Sequence, residues 1–128
     1  MVAPTRATVR LSSREKKAIK EFLESVRKAY GENLLSAALF GSRARGDSGE
    51  ASDIDLLLIV KNDHWKIQQQ ISRFSSDVAL KYDVALDVRL ISAERWKYYS
   101  DIRAGLFQNI ERDAVPFKIT TKQKSLAA

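Results

Sequence analysis

The chain has 128 residues, 45% hydrophobic and 30% charged, the balance of one globular domain able to bury about two thirds of its unfolded surface. It contains no Cys and a single His, His64, which excludes a disulfide framework, a thiol nucleophile, a zinc site built on Cys or clustered His, and a relay of several histidines. The formal net charge of +6 and a pI near 9.7 favour phosphate-bearing partners or an acidic protein without choosing between them.

The first ten residues carry Pro4 and no hydrophobic period, so residues 1–12 are read as an N-terminal arm. Ser12 and Glu15 have the spacing of a capping box, with a hydroxyl at the cap and a carboxylate three residues on. Behind them Ala18, Ile19, Phe22, Leu23, Val26 and Tyr30 recur at helical spacing, which predicts an amphipathic helix from about Ser13 to Tyr30 with Gly31 as its left-handed stop. Leu34 to Phe40 reads as a strand. The segment Gly41 to Ser52 holds three of the five glycines and reads as a loop with one helical turn after Ser42. Asp53 to Val60 is a second strand whose apolar run predicts cover on both faces.

Ile67, Ile71, Phe74 and Val78 predict a second long helix from about Asn62 to Leu80, capped by Asn62 or Asp63. Val84 to Ile91 is a third strand. A helical stretch from Ser92 carries Trp96, Tyr99, Ile102, Leu106 and Ile110, interrupted at Gly105. A last strand, Val115 to Ile119, belongs at a sheet edge because Pro116 cannot donate to a ladder. The order predicts an α/β (α+β) fold: a small mixed β-sheet with helices mainly on one face. The domain is placed at residues 13–119, with a basic tail at 120–128. No apolar run approaches the ~18–20 residues of a membrane span, and the N-terminus lacks a signal-like stretch. A cytoplasmic protein without membrane contact is the expectation.

The chemistry concentrates in Gly41-Ser42, ten intervening residues, and Asp53-Ile54-Asp55. On a strand, residues two apart face the same side with Cα atoms ~6.5–7 Å apart. Two carboxylates ~5 Å apart repel by about 3 kcal/mol at an effective dielectric of 20. A divalent cation between them relieves this, and hard Mg²⁺ takes carboxylate, water and phosphate oxygens; Mn²⁺ suits the same donors. Gly41 lets the backbone approach a bound group, and Ser42 offers an N–H and a hydroxyl at the start of a turn suited to phosphate. Arg43 and Arg45 lie within reach of the same place. Asp87 stands between Leu86 and Val88 in the third strand, an aspartate without a packing reason to be there. If that strand adjoins the second, Asp87 joins the pair as a third acid.

Blander readings compete. Asp53 and Asp55 could mark a solvated strand entrance, Asp87 could pair with Arg89, and Asp83 suits a turn. Arg43 and Arg45 could be solvated loop charges. His64 reads as a surface residue at a helix start. Trp65, Trp96 and Tyr99 read as core or interface aromatics rather than a stacking platform, and the basic face of the first helix reads as solvated.

Gly41-Ser42-Arg43-Ala44-Arg45-Gly46 followed by Ser52-Asp53-Ile54-Asp55-Leu56-Leu57 resembles the polymerase-β-like nucleotidyltransferase superfamily, and the short chain resembles its minimal nucleotidyltransferases. The resemblance implies a palm-like nucleotidyltransferase fold. It implies Asp53, Asp55 and Asp87 as metal-binding catalytic acids, with Asp87 helping to activate the acceptor hydroxyl. It implies Gly41 and Ser42 at the nucleotide phosphates, with Arg43 and Arg45 matching the family's basic positions less strictly. It further implies a nucleoside triphosphate substrate, with AMP taken from ATP. Minimal nucleotidyltransferases are often paired with a HEPN-domain toxin, whose tyrosine receives the AMP, so the resemblance implies an antitoxin and a partner encoded nearby. The HEPN signature itself is absent, since His64 is followed by Trp65 and Lys66. The alternatives are an antitoxin that neutralises by binding alone, a transferase acting on a small molecule or nucleic acid, and a nucleic-acid binder driven by charge. A homo- or hetero-oligomer fits any of them.

Overall fold

The computed structural model describes residues 11–46, 53–102 and 104–117. Most of the expected N-terminal arm, the loop segment 47–52 and the basic tail therefore lie outside the described residues. The first helix, α1 (Ser13–Tyr30), starts at the predicted capping box. The Ser12 hydroxyl accepts the Glu15 N–H at 3.1 Å and Glu15 Oε1 accepts the Ser12 N–H at 2.7 Å. Ala18, Ile19, Phe22, Leu23 and Val26 are buried on its inner face, each of the larger ones contributing about 1.5–3 kcal/mol. Its end departs from expectation. Gly31 is right-handed at φ −53° and ψ −43°, and the Asn33 N–H closes on the Tyr30 carbonyl at 2.8 Å. The turn is made by hydrogen bonding, without the glycine's left-handed freedom.

Three strands follow the predicted order: β1 (Leu34–Phe40), β2 (Ile54–Val60) and β3 (Leu86–Ser92), with a short β4 (Val115–Pro116). The sheet order is β3-β2-β1-β4. β1 is antiparallel to β2 and to β4, while β2 and β3 are parallel, so the sheet is mixed as expected. The parallel pair is joined by α3 (Trp65–Tyr82), the crossover that parallel strands require. Pro116 sits at the edge, where its missing N–H costs nothing.

The central strand β2 has both faces covered. Ile54, Leu56, Leu58 and Val60 join the main core with α1 and with Ile71 and Val78 of α3. Strand alternation turns Asp55, Leu57 and Ile59 to the opposite side, where Leu57 and Ile91 meet Ile110 and the flanking Trp96 and Tyr99. Those residues come from α4 (Ala93–Ile102) and α5 (Gly105–Asp113), and the helical break falls at Gly105 as predicted. The two long helices thus cover one face and the shorter pair covers part of the other. Trp96 packs on Phe107 with ring centroids 4.9 Å apart, whereas Trp65 is 61% exposed.

The start of α3 also differs from expectation. The cap is His64, whose side chain accepts the Lys66 N–H at 3.2 Å. Asn62 is taken by a reciprocal clasp: its N–H donates to Asn33 Oδ1 at 2.7 Å and its carbonyl accepts from Asn33 Nδ2 at 2.8 Å. Asp83 is the left-handed C-cap of α3 at φ 53°, the turn role read for it. Among the described residues no helix is long and apolar enough to cross a membrane.

Candidate active site

The site lies where β1 ends and β2 and β3 begin. Phe40 is the register partner of Asp55, and Gly41 turns the chain out of β1 into α2 (Gly41–Arg45). Gly41 has φ +75°, and a Cβ built there would overlap Asp55 Oδ2 and stand 3.2 Å from Asp55 Cγ. The bend is therefore pressed onto the Asp55 carboxylate, and only glycine meets both the backbone and the space demand. Ser42 stands in the first turn of α2; its side chain is outside the described part.

On the other flank of β2, Asp55 is the register partner of Asp87. Both residues alternate to the face that carries Leu57 and Ile91, so these two predicted acids share one side of the sheet. α4 and α5 cover the Leu57–Ile91 end of that face; Asp87 is exposed and Asp55 half-buried. Asp53, also exposed, immediately precedes β2. The Asp55 carboxyl is held above the ordinary aspartate pKa, first by burial, then by the charge of Asp87 and a hydrogen bond with it, then by the charge of Asp53; Arg89 works in the opposite direction. These contributions place Asp87 and Asp53 each within electrostatic reach of Asp55.

Among the described residues no three of His, Asp or Glu already form a metal cage. The donor chemistry nevertheless fits a hard divalent cation. Facing carboxylates from adjacent strands supply oxygen donors, Asp53 adds negative charge, and the raised pKa of Asp55 reflects negative charge gathered beside it. Mg²⁺ completes its octahedron with waters and substrate phosphates rather than with protein alone.

The two arginines expected at the phosphates both have carboxylate partners within the fold. Arg43 is 3% exposed and donates from both terminal nitrogens to Glu15, at 2.8 Å each. This bidentate pair ties α2 to α1. Burial acts to raise the Glu15 pKa, but hydrogen bonds from Arg43 and the Ser12 backbone, with the Arg43 charge, outweigh it and hold the group below its ordinary value. Arg45 reaches the other helical layer, where its Nη1 lies 3.0 Å from Oδ2 of the buried Asp113. Arg112 Nε is 2.9 Å from Oδ1 of the same aspartate. The Asp113 pKa is lowered first by the Arg112 hydrogen bonds and also by Arg45, against burial. The five-residue α2 is thus pinned between the helices of both faces, which fixes the bend that meets Asp55. Sequence reasoning missed Glu15 and Asp113 as parts of this arrangement. Glu15 was visible only as a cap, and Asp113 carried no local signal.

Comparison with known proteins agrees with this fold. The family described as nucleotidyltransferase domain matches residues 19–120. Three proteins of Methanocaldococcus jannaschii, each named "Putative protein adenylyltransferase", are similar to the chain. One is 41% identical over 69 residues, 53% of this chain and 70% of its own length. A second is 32% identical over 94 residues, 69% of this chain and 90% of its own length. A third is 50% identical over 44 residues, 34% of this chain and 30% of its own length. Among solved structures, a "putative nucleotidyltransferase" from Sulfolobus solfataricus superposes with a TM-score of 0.51 at 23% identity, covering 90% of this chain and 93% of that one. That likeness concerns the fold.

Proposed function

Because the chain belongs to the nucleotidyltransferase domain family, we propose that it moves a nucleoside monophosphate, AMP from ATP, onto a hydroxyl of a partner protein. The observation that carries the reading is the position of Asp55: opposite Asp87 in the strand register, pressed by the Gly41 bend, and within the field of Asp53. A protein acceptor is supported by the names of the Methanocaldococcus relatives.

In this reading Asp53, Asp55 and Asp87 hold Mg²⁺, with Mn²⁺ an acceptable substitute. A bound divalent ion supplies charge neutralisation at the transferring phosphoryl group and its leaving pyrophosphate. Asp87, the most open of the strand-borne acids, takes the proton of the acceptor hydroxyl. That oxygen attacks the α-phosphorus, the bond to the bridging oxygen breaks, and pyrophosphate departs. The backbone at Gly41 and Ser42 lies against the triphosphate. Arg43 and Arg45 act one step back, by holding α2 in place through Glu15 and Asp113. The partner we propose is a HEPN-domain protein, with this chain as the cytoplasmic antitoxin that modifies it. That reading is supported by the Gly-Ser/Asp-x-Asp motif.

Incubation with α-labelled ATP, Mg²⁺ and the candidate partner tests the proposal. Label is expected on a partner hydroxyl residue, and Asp53→Asn should abolish it while leaving the circular dichroism spectrum unchanged. Equal labelling by wild type and Asp53→Asn contradicts the assignment. Neutralisation of the partner by Asp53→Asn with no labelling in either protein would mean that binding alone is the activity.

A further inference from the structure

Among the described residues β3 is an edge of the sheet, and the groups on its outer side follow from the ladder. The Ile54 N–H donates to the Ala85 carbonyl at 2.9 Å. Backbone groups alternate in direction along a strand, so residues 87, 89 and 91 turn theirs towards β2. Leu86, Val88 and Leu90 then direct their N–H and C=O groups outward. A strand edge of this length with no neighbour among the described residues is a template for another strand. Beside it runs a groove of about 410 Å³, lined from β3 by Leu86, Asp87, Val88 and Leu90 and from α3 by residues that include Ser72, Ser75 and Ser76. Those small side chains leave room along the edge. Leu80, one helical turn beyond Ser76 on the same flank, is 83% exposed.

The sequence of this edge, Leu86-Asp87-Val88-Arg89-Leu90, is self-complementary about Val88. In an antiparallel pair of two copies centred there, Val88 meets Val88, Leu86 meets Leu90, and Asp87 meets Arg89. The outward-facing residues become the hydrogen-bonded pairs, which satisfies about six backbone groups in that stretch. Asp87 and Arg89 become the closer, non-hydrogen-bonded pairs, where opposite charges attract best. Moving the centre one residue either way sets Asp87 against Asp87 or Arg89 against Arg89, so charge selects the register. The serines of α3 lie along the same stretch and allow the two α3 helices to approach across the two-fold axis.

We infer that the chain forms a two-fold dimer through β3, giving one continuous sheet in which Arg89 of the second copy stands beside Asp87. Each copy then completes the charge environment of its neighbour's acid cluster. The inference rests on the strand edge and not on the transferase reading, and its test needs neither nucleotide nor metal.

Sedimentation equilibrium of the full chain provides the test. Wild type is expected to be dimeric by about 100 µM, an affinity range within reach of a modest interface. Arg89→Glu and Asp87→Arg should each weaken the dimer by roughly tenfold or more, because each turns two attractive cross-strand pairs into repulsive ones. The charge-swapped double variant Asp87→Arg/Arg89→Asp should recover to within a few-fold of wild type. Val88→Pro should give a folded monomer, since that N–H serves only the second copy. A wild type that stays monomeric overturns the inference, as does a dimer indifferent to these changes. A charge-swapped variant no tighter than the single variants also overturns it.

Discussion

Replacing Glu15 by Gln isolates the charge that anchors α2. Gln keeps the capping geometry, because an amide oxygen also accepts the Ser12 N–H. What changes is a charged partner of Arg43, whose side chain is 4% exposed and lies 2.8 Å from Glu15 Oε2. Removing one member of a buried pair costs about 3–5 kcal/mol, and one neutral hydrogen bond returns about 1 kcal/mol. The expected loss is therefore about 2–4 kcal/mol. For a chain of this length that is a fall in Tm of roughly 7–15 °C. Urea unfolding followed by circular dichroism measures the loss. A cycle with Arg43→Met should return a coupling of at least about 1 kcal/mol. A loss under about 0.5 kcal/mol, the range of an ordinary surface change, would refute the claim that this pair pins the bend.

Acid sensitivity follows from the same groups. Glu15 and Asp113 are both held below their ordinary values. Their stabilisation is full above the unfolded carboxylate range and is lost as pH falls through the lowered values, so unfolding free energy should drop below about pH 4. Asp55, held above its ordinary value, contributes in the opposite sense, favouring the fold when protonated. Unfolding curves between about pH 3 and 7 should show a shallower acid loss in Glu15→Gln than in wild type; parallel curves contradict this. Asp55→Asn should raise stability without added metal by up to about 1 kcal/mol, since it removes like-charge contact with Asp87 and Asp53. Mg²⁺ should narrow that gap in thermal melts, and a destabilised Asp55→Asn protein would oppose the reading. Gly41→Ala should disturb transfer more than any loss of fold explains, because the added Cβ overlaps the Asp55 carboxylate at a positive φ. Unchanged transfer by that variant would show that the bend is not part of the site.

Much of this arrangement is local and therefore readable in one dimension. The capping box of α1, the apolar run of β2 and the Pro116 edge each depend on a few neighbouring residues. Asp87 announces itself by being polar inside an apolar strand, and the βαβ crossover then brings it opposite Asp55. Arg43 and Arg45 look alike in sequence but part company in the fold. The first turns inward because Glu15 waits 28 positions away, and the second finds Asp113 at a separation of 68. No local period reveals such pairings. The cap of α3 is a smaller case of the same kind. Asn62 is the better cap by intrinsic preference, yet its side-chain oxygen accepts the His64 N–H at 2.9 Å and its backbone is held by Asn33, while His64 takes the cap.

In the proposed reaction the acids at the entrance of β2 and β3, with the Gly41 bend, bind a metal-bearing triphosphate. Titration calorimetry of ATP in the presence and absence of Mg²⁺ addresses it directly. Binding should require the ion and weaken at least tenfold in Asp55→Asn and in Asp87→Asn, a difference of about 1.4 kcal/mol. Binding of equal strength in all three proteins, or with no dependence on divalent metal, contradicts the proposal.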